Sequence, residues 1–320
     1  HSYHGIELED PYFWLQDPGY PQVEDPDVLG YLNEENAYYE SWYEPHKTLT
    51  QTLFEELKAR KPEQDEGVPY EKNGYRYQWR FNAGDQYRVW LRQSTKDTSN
   101  VWETLLNENS LAEGCEYFRL GALAVSPDGT KLAYSTDTNG SERFILQVIE
   151  IASGNALTTP IENCAGSVVW NADSDGFAYR LVNENWRPDK ALYRSLLGGD
   201  DALLYQEEDD AFFVGLGLSQ SEQLMFITSG DHVTSEVRFV PRSDLLAEQE
   251  LIQSRREGHE YDVEHQGDSA ETGRLIIRSN RNHPNFDLFE TPVASPEEAS
   301  WQMLLPGDAN HYLMLSLIHI

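Results

Sequence analysis

Four segments of this chain repeat one outline: an apolar strand, a turn rich in Ser, Asp and Gly, and a second apolar strand that ends in polar residues. Their central pairs, spaced 45, 47 and 51 residues apart, are Ala133-Tyr134, Ala178-Tyr179, Met225-Phe226 and Ile276-Ile277. A period in the forties with about four strands per unit is typical of a β-propeller, whose blades bury their faces against each other. The repeats predict a mainly β chain with about five blades over residues 63–306.

The first blade is predicted from a β-hairpin motif. Asn73-Gly74 lies between two segments of alternating polarity, and this dipeptide is the strongest short indication of a β-hairpin because both residues tolerate a positive φ. We therefore count the region from residue 68 as the first blade.

Residues 1–62 have a different period, because their apolar residues recur at helical spacing. Asp25 followed by Pro26 is a typical helix start, and Pro62 ends a second helical segment. We predict a helical N-terminal arm over residues 1–62 whose apolar stripes need a partner surface. The aromatic run DPYFWLQDP at 10–18 has the same need.

The charge of the chain excludes several classes of function. With 55 acidic and 24 basic residues the net charge is −31, whereas a nucleic-acid-binding surface is basic. No apolar run approaches the length of about 18 residues that a membrane helix needs. We predict no nucleic-acid and no membrane partner. The acidity itself fits either a solvated acidic coat or a negative field that concentrates cationic substrates.

The chain shows no motif for catalysis or for cofactor binding. A nucleophile elbow, a P-loop, a three-glycine dinucleotide fingerprint and a zinc helix motif are all missing from its sequence. His259 and His265 fall in a predicted strand region, and we interpret them as propeller loop histidines without a ligand role. The acidic run at 207–210 reads as solvated loop charges. We predict no catalytic residue, no cofactor and no metal site in this chain.

Two cysteines, Cys115 and Cys164, are too few for a disulfide framework at this length. We interpret them as two reduced, buried thiols. The first residues resemble no signal peptide. Together these features predict a cytoplasmic protein, with the periplasm as the less favoured alternative.

The N-terminal run HGIELEDPYFWLQD, followed by VLGYLNEENAYYESW, resembles the opening of the prolyl oligopeptidase family of serine peptidases. Five further segments resemble the oligopeptidase B branch of that family, and the resemblance extends over residues 3–306. They are VPYEKNGYRYQWRF at 68–81, WETLLNEN at 102–109, TSEVR at 234–238, SRREGHEYDVEH at 254–265 and IIRSNRNHPNFDLFE at 276–290.

The resemblance implies a seven-bladed propeller inserted between an N-terminal arm and a C-terminal α/β-hydrolase domain on which the arm packs. The catalytic Ser, Asp and His of such enzymes lie in the hydrolase domain, so this chain by itself is expected to be inactive. The parent enzyme is expected to hydrolyse short peptides after Arg or Lys, with the propeller as a size filter. If the substrates are cationic peptides, the negative charge of the chain is more readily interpreted as a field that attracts them.

The same resemblance implies that the chain stops after about five of seven blades, which makes an incomplete propeller. Residues 307–320 are then a truncated strand with a non-native tail. Tyr12, Phe13, Trp14 and Leu15 are expected to be partly exposed, because their cover is the hydrolase domain.

Glu142 is the one site residue that the resemblance indicates. Relatives carry a charged residue near this loop that faces the interdomain cleft, so Glu142 is a candidate for an ion pair that gates the closed state. An ordinary exposed loop glutamate is the simpler interpretation.

Two other functions stay open. A stand-alone propeller that serves as a binding scaffold would need no arm at residues 1–62. A peptidase of the dipeptidyl type belongs to the same superfamily, but its members do not share the DPYFWL opening.

Overall fold

The computed structural model describes residues 2–7, 9–20, 22–99 and 101–314. Its contacts divide the chain into two compact units, residues 1–65 and residues 66–320. The first unit is mainly helical, and the second is built from antiparallel sheets.

The first unit contains two helices, Pro26–Tyr43 and Lys47–Ala59, joined by the 3-10 turn Glu44–His46. The predicted helix start is confirmed: the Asp25 carboxylate accepts hydrogen bonds from the backbone N–H groups of Asp27 at 2.8 Å and Val28 at 3.3 Å, and Pro26 is the first helical residue. Before the helices lie a 3-10 turn and two short paired strands, which are Phe13–Leu15, Ser2–Tyr3 and Ile6–Glu7.

The apolar residues of this unit are largely exposed. Tyr12, Phe13 and Trp14 are 70%, 54% and 46% exposed and Leu15 is half-buried, which confirms the prediction of partial exposure. The helical stripes are exposed as well, at Leu29, Leu32, Leu49, Leu53 and Leu57. Within the unit, the Trp14 ring packs edge-on against Tyr31 with 5.4 Å between ring centroids.

The second unit contains five blades in the part of the chain that the structure describes, which confirms the predicted fold class. Blade 1 has the strands Tyr70–Lys72, Tyr75–Phe81, Val89–Ser94 and Glu103–Asn107. Blade 4 has Phe213–Leu218, Leu224–Gly230, Ser235–Pro241 and Glu250–Gln253. Blade 5 has Tyr261–Gln266, Arg274–Ser279, Asp287–Pro292 and Gln302–Leu305.

Blades 2 and 3 form one seven-stranded sheet. Blade 2 has Arg119–Val125, Lys131–Asp137, Phe144–Glu150 and Ile161–Trp170, and blade 3 continues with Gly176–Val182, Pro188–Ser195 and Ala202–Gln206. Three further short elements are the strand Asp65–Glu66, the helix Glu108–Ala112 and the 3-10 turn Glu298–Ser300.

The strand Ile161–Trp170 is both the fourth strand of blade 2 and the first strand of blade 3. It passes close to the first strand of blade 2 at Gly166, whose φ is +76°. A Cβ added at Gly121 in that first strand would lie 2.5 Å from the Phe144 ring. Glycine at these two positions therefore allows the crossing strand and the ring to pack together.

The hairpin of blade 1 turns at Asn73-Gly74 as predicted. Lys72 pairs with Tyr75 across the turn, and the two turn residues have φ values of +48° and +78°. Two consecutive positive φ angles are the requirement of a type I′ turn, whose twist matches that of the strands.

Four clusters of buried apolar side chains lie between successive blades. In the second strand of blade 3, Ala178 packs toward blade 4 and Tyr179 packs toward blade 2. In blade 4, Met225 packs toward blade 3 and Phe226 packs toward blade 5. Because successive strand residues point to opposite faces, the central pairs of blades 2, 3 and 4 each join their blade to both neighbours.

The two cysteines differ in environment. Both are free, but Cys115 is exposed and only Cys164 is buried, so the prediction of two buried thiols is wrong for Cys115. This residue follows the short helix Glu108–Ala112, which the strand pattern did not predict. Burial raises the pKa of the Cys164 thiol to about 12.

Of the truncated strand predicted over residues 307–320, residues 307–314 are described and contain an isolated β-bridge between Asp308 and His311. Residues 315–320 lie outside the described residues. Among the described helices, none combines the length and the apolar character that crossing a bilayer requires.

The packing of Met225 gives a stability test. Its side chain is fully buried between blades 3 and 4, so Met225→Ala should lower the free energy of unfolding by about 2–5 kcal/mol through lost burial and a residual cavity. Met303→Ala is the control, because Met303 is 48% exposed and its loss should cost less than about 0.5 kcal/mol. Urea denaturation of both variants checks this, and equal effects would contradict the proposed packing.

Candidate functional site

The first strands of blades 4 and 5 border a cavity of 520 Å³. In a propeller the blades surround a central channel, so this cavity belongs to its inner wall. Arg180 of blade 3 completes the lining. A cavity of this size is in the range that holds a small ligand or a few peptide residues.

Three carboxylates lie on the cavity wall: Asp231, Asp262 and Glu264. Asp262 and Glu264 are two residues apart in one strand, so both side chains point to the same side of it. Asp262 forms an ion pair with Arg278 at 2.6 Å, and Asp231 accepts hydrogen bonds from the backbone N–H groups of residues 233 and 234. Glu264 accepts hydrogen bonds from two further backbone N–H groups. The wall is thus acidic, and each acid is held in place by the blades.

A buried carboxylate, Glu207, organises the connections around blade 4. It is 8% exposed, accepts a hydrogen bond from Arg255 Nη2 at 2.6 Å and one from the Tyr205 hydroxyl at 3.1 Å, and also binds the Ser229 hydroxyl. The interpretation of Glu207 as a solvated loop charge is therefore wrong. Glu207 directly follows the last strand of blade 3 and contacts Ser229 of blade 4 and Arg255 after blade 4. The residues next to Glu207 in the sequence do not indicate these contacts.

The partners of Glu207 determine its ionisation. Burial by itself would raise the pKa, but the hydrogen bonds from Arg255 and Ser229 outweigh it and lower the pKa of Glu207 to about 2. Arg255 also donates its backbone N–H to Glu236, at 3.0 Å, and stacks on the Phe212 ring at 4.2 Å. Glu207 and Arg255 thus join the connections that lead into and out of blade 4.

The first turns of two non-adjacent blades meet at one end of the strands. Lys72 of blade 1 forms an ion pair with Glu222 of blade 4, and Glu222 also accepts a hydrogen bond from Arg242 Nη1 at 2.6 Å. Arg242 in turn donates to the Trp170 carbonyl of blade 3 at 3.1 Å. This ionic bridge spans the inner space of the blades at their turn end.

Glu142 lies at the opposite end, in the turn between the second and third strands of blade 2. The buried Asp137 carboxylate shapes this turn by accepting hydrogen bonds from the backbone N–H groups of Asn139, Gly140 and Glu142. The Glu142 backbone has a φ of +58°, and its side chain, 67% exposed, pairs with Arg119 at 2.8 Å. The carboxylate is therefore accessible and already has one cationic partner within the propeller.

Two serine–histidine pairs occur among the described residues, and such a pair is what a serine nucleophile and its general base would form. His259 Nε2 lies 2.8 Å from the Ser279 hydroxyl, but that serine is fully buried and His259 Nδ1 faces Arg256. His265 Nδ1 lies 2.7 Å from the Ser221 hydroxyl, and its Nε2 faces the Thr272 carbonyl at 3.0 Å.

Neither of these histidines is oriented by a carboxylate. Both are buried, at 5% and 2% exposure. His265 lies in the strand Tyr261–Gln266, so its interpretation as a loop histidine is wrong, and its ring joins Ser221 of blade 4 to Thr272 of blade 5. His259 lies in the loop before that strand, and its ring contacts Ser279 and Tyr261 of blade 5. In the residues that the structure describes, no group of three or more His, Cys, Asp or Glu is arranged to bind a metal ion.

Residues 1–317 match the family model described as prolyl oligopeptidase, N-terminal beta-propeller domain. The chain belongs to the prolyl oligopeptidase family. It is 31% identical over 319 residues to dipeptidyl aminopeptidase BI of Pseudoxanthomonas mexicana, covering 93% of this chain and 43% of that protein. It is 30% identical over 302 residues to protease 2 of Moraxella lacunata, covering 92% of this chain and 42% of that protein.

Solved structures of the family show the same fold. Oligopeptidase B from Trypanosoma brucei, in a closed form with covalently bound antipain, superposes with a TM-score of 0.81 at 28% identity, over 94% of this chain and 42% of that one. Oligopeptidase B from Leishmania major gives a TM-score of 0.84 at 24% identity, over 93% of this chain and 42% of that one. The chain therefore spans less than half the length of the relatives that it matches.

Several residues of the site were missed by sequence reasoning. Arg180 shares a strand face with Ala178 because the two are two residues apart, and a charge on a face that is otherwise apolar is a signal that could have been recognised. Asp262 and Glu264 likewise share one face of their strand, with Val263 on the other face, so the sequence could have indicated that the two acids lie together. Nothing local marks Glu207, because its partner Arg255 lies 48 residues away.

Glu207 gives a pH-dependent prediction. Its folded pKa of about 2 is below the ordinary value of 4.5, so its ionised form stabilises the fold above about pH 4.5, and this contribution is lost as the pH falls toward 2. Glu207→Gln should therefore lower the free energy of unfolding by about 2–3 kcal/mol at pH 7. The difference from the wild type should shrink below pH 4.5.

The neighbouring Glu208→Gln is the matched control, because Glu208 is exposed and its charge should change stability by less than about 0.5 kcal/mol. Urea denaturation from pH 7 to pH 3 measures both variants. A deficit of Glu207→Gln that does not depend on pH would contradict the role of its charge.

Proposed function

We propose that this chain is the N-terminal and propeller portion of an oligopeptidase B-like serine peptidase that hydrolyses short peptides after Arg or Lys. The observation that carries the proposal is the match over 94% of the chain to the Trypanosoma brucei oligopeptidase B fold. The catalytic triad is proposed to lie outside these 320 residues, so the chain alone is inactive. The free thiols Cys115 and Cys164 favour a reducing compartment such as the cytoplasm.

The charge distribution supports a preference for basic peptides. Asp231, Asp262 and Glu264 line the inner cavity, and the net charge of −31 extends the negative field beyond it. Such a field raises the local concentration and the association rate of cationic substrates. Recognition of Arg or Lys at the cleaved bond is assigned to the peptidase domain.

The propeller is proposed to act as a size filter. The ionic bridge of Lys72, Glu222 and Arg242 spans the inner space at the turn end of the blades. A peptide that reaches the inner cavity must then be short and unfolded, because the blades on either side are closely packed.

The N-terminal arm is proposed to pack on the peptidase domain. Its apolar side chains, from Tyr12, Phe13 and Trp14 to the stripe of Leu49, Leu53 and Leu57, are exposed by 46% or more. An exposed apolar surface of this kind marks an interaction site. A binding scaffold without catalysis would have no use for such an arm.

A second candidate function is the removal of dipeptides from a free peptide N-terminus. The observation in its favour is the 31% identity to the Pseudoxanthomonas mexicana protein named dipeptidyl aminopeptidase BI. The two candidates differ in whether a blocked N-terminus prevents cleavage.

The test uses the complete gene product that contains this chain. We expect peptides with Arg or Lys before the cleaved bond to have a kcat/KM about a hundredfold above that of the Ala analogue, for acetylated and free N-termini alike. Cleavage of the free N-terminus alone would support the dipeptidyl candidate. No cleavage of any peptide would contradict both and favour the scaffold.

Steering predicts a salt dependence. Raising the ionic strength from about 0.01 M to about 0.15 M shortens the screening length from about 30 Å to about 8 Å, so kcat/KM for a dibasic peptide should fall by about threefold to tenfold. A peptide of zero net charge with one Arg serves as the control and should respond much less. If kcat/KM of both peptides did not change with ionic strength, steering would be contradicted and the acidic residues would be interpreted as a solvated coat.

Glu142 is proposed to latch the closed state by pairing with an Arg of the peptidase domain. Glu142→Gln in the complete enzyme should then lower kcat/KM by about threefold to tenfold and shift small-angle scattering toward a more open form. Glu184→Gln is the control, since Glu184 is an exposed glutamate in the corresponding turn of blade 3. Unchanged activity and scattering of Glu142→Gln would contradict the latch, and Glu142 would then only form a surface ion pair with Arg119.

A further inference from the structure

Two guanidinium groups of blade 3 contact consecutive residues at the start of the first strand of blade 4. Arg180 Nη1 donates to the Val214 carbonyl at 2.6 Å, and its Nε donates to the Ser167 hydroxyl at 2.8 Å. The guanidinium carbon of Arg187 lies 4.7 Å from the centroid of the Phe213 ring. Phe213 and Arg180 both line the 520 Å³ cavity, and Arg187, which is not itself a lining residue, lies beside the cavity through its contact with the Phe213 ring.

These two cations differ from most arginines of the blades, which have carboxylate partners. Among the described residues, Arg180 is bonded to a carbonyl and a hydroxyl, and Arg187 is stacked on a ring; neither is within ion-pair distance of a carboxylate. The three acids of the cavity wall, by contrast, are each bonded already. In a chain with 55 acidic residues, two cations without a carboxylate beside a cavity leave a place for an external anion.

We propose that Arg180 and Arg187 form a carboxylate-binding subsite for a peptide, with the C-terminal carboxylate of a short peptide as its ligand. The assignment rests on the proposed peptidase function and deepens it by adding a contact on the propeller. Guanidinium forks match the two oxygens of a carboxylate, and such charge-assisted bonds are stronger than neutral ones. Burial also lowers the pKa of Arg180, as expected of a cation that lacks a compensating charge.

The arrangement orients a bound peptide. Asp231, Asp262 and Glu264 come from blades 4 and 5, whereas Arg180 and Arg187 come from blade 3. A basic peptide would direct its cationic side chains toward the first group and its carboxylate toward the second. Only a peptide short enough to end inside the cavity could use both, so the subsite would favour short substrates.

A structural role for the same side chains makes a different prediction. If Arg180 and Arg187 served only to join blades 3 and 4, their replacement would change stability without affecting peptide binding. Arg187 is the better position to test, because its side chain stacks on a ring that is 37% exposed, whereas Arg180 holds a backbone carbonyl of the neighbouring blade.

The test measures the binding of three pentapeptides to the 320-residue chain by isothermal titration calorimetry at about 0.15 M salt. The peptides share one basic sequence and end in a free acid, in an amide, or in an amide with one interior Glu. We expect the acid to bind about tenfold more tightly than the plain amide. The third peptide distinguishes a terminal carboxylate from a side-chain carboxylate as the group that is bound.

Arg187→Gln should remove the difference between acid and amide, and Arg187→Lys should retain part of it because the charge remains while the planar fork is lost. Arg80→Gln is the matched control, since Arg80 is an exposed arginine of blade 1 and its loss changes the net charge equally. Unchanged circular dichroism and denaturation midpoints show that the variants are folded.

Equal affinity for the acid and both amides, no detectable binding at millimolar concentration, or an acid preference that survives Arg187→Gln would overturn the subsite. The peptidase proposal is judged separately by hydrolysis in the complete gene product. Cleavage without an acid preference would remove the subsite alone, and an acid preference without cleavage would remove the peptidase alone.

Discussion

The fold of this chain depends on the packing of successive blades against each other, in which blades 2, 3 and 4 each contact two neighbours. The second strand of a blade carries the decisive residues, since alternate side chains point to opposite faces: Ala178 and Met225 meet between blades 3 and 4, while Tyr179 and Phe226 face outward to blades 2 and 5. Burial of a large apolar side chain contributes about 1.5–3 kcal/mol. The blades therefore stabilise each other in sequence along the chain, as in other repeat architectures.

Polar groups fix the arrangement that apolar packing allows. Glu207 and Arg255 join the connections at one end of blade 4, and Glu222 with Lys72 and Arg242 joins the turns of blades 1, 3 and 4 at the other. A buried carboxylate is tolerated only when its hydrogen bonds are satisfied. On the wall of the inner cavity the acids are partnered, whereas Arg180 in the wall and Arg187 beside it have no carboxylate partner among the described residues. This difference gives the cavity its chemical character.

Much of this fold could be predicted because its signals are local. The Asn73-Gly74 turn and the helix start at Asp25 follow from neighbouring residues, and the structure confirms them. The exposure of the aromatic run at residues 12–14, expected from the family resemblance, is confirmed as well. The errors concern residues whose surroundings come from distant strands. Glu207, interpreted from the sequence as solvated, is buried; Cys115, interpreted as buried, is exposed; and the His265 ring joins blades 4 and 5.

The sequence by itself determined the number of blades, the helical arm and the family, because repeat spacing, capping residues and a conspicuous opening motif are all encoded along the chain. The tertiary structure alone decided which charges meet. Arg187 and Phe213 are 26 residues apart, and Arg180 and Val214 are 34 residues apart. Strand pairing and blade stacking bring such groups together over distances at which neighbouring residues carry no information about the contact, and so the chemistry of the cavity could be read only from the folded chain.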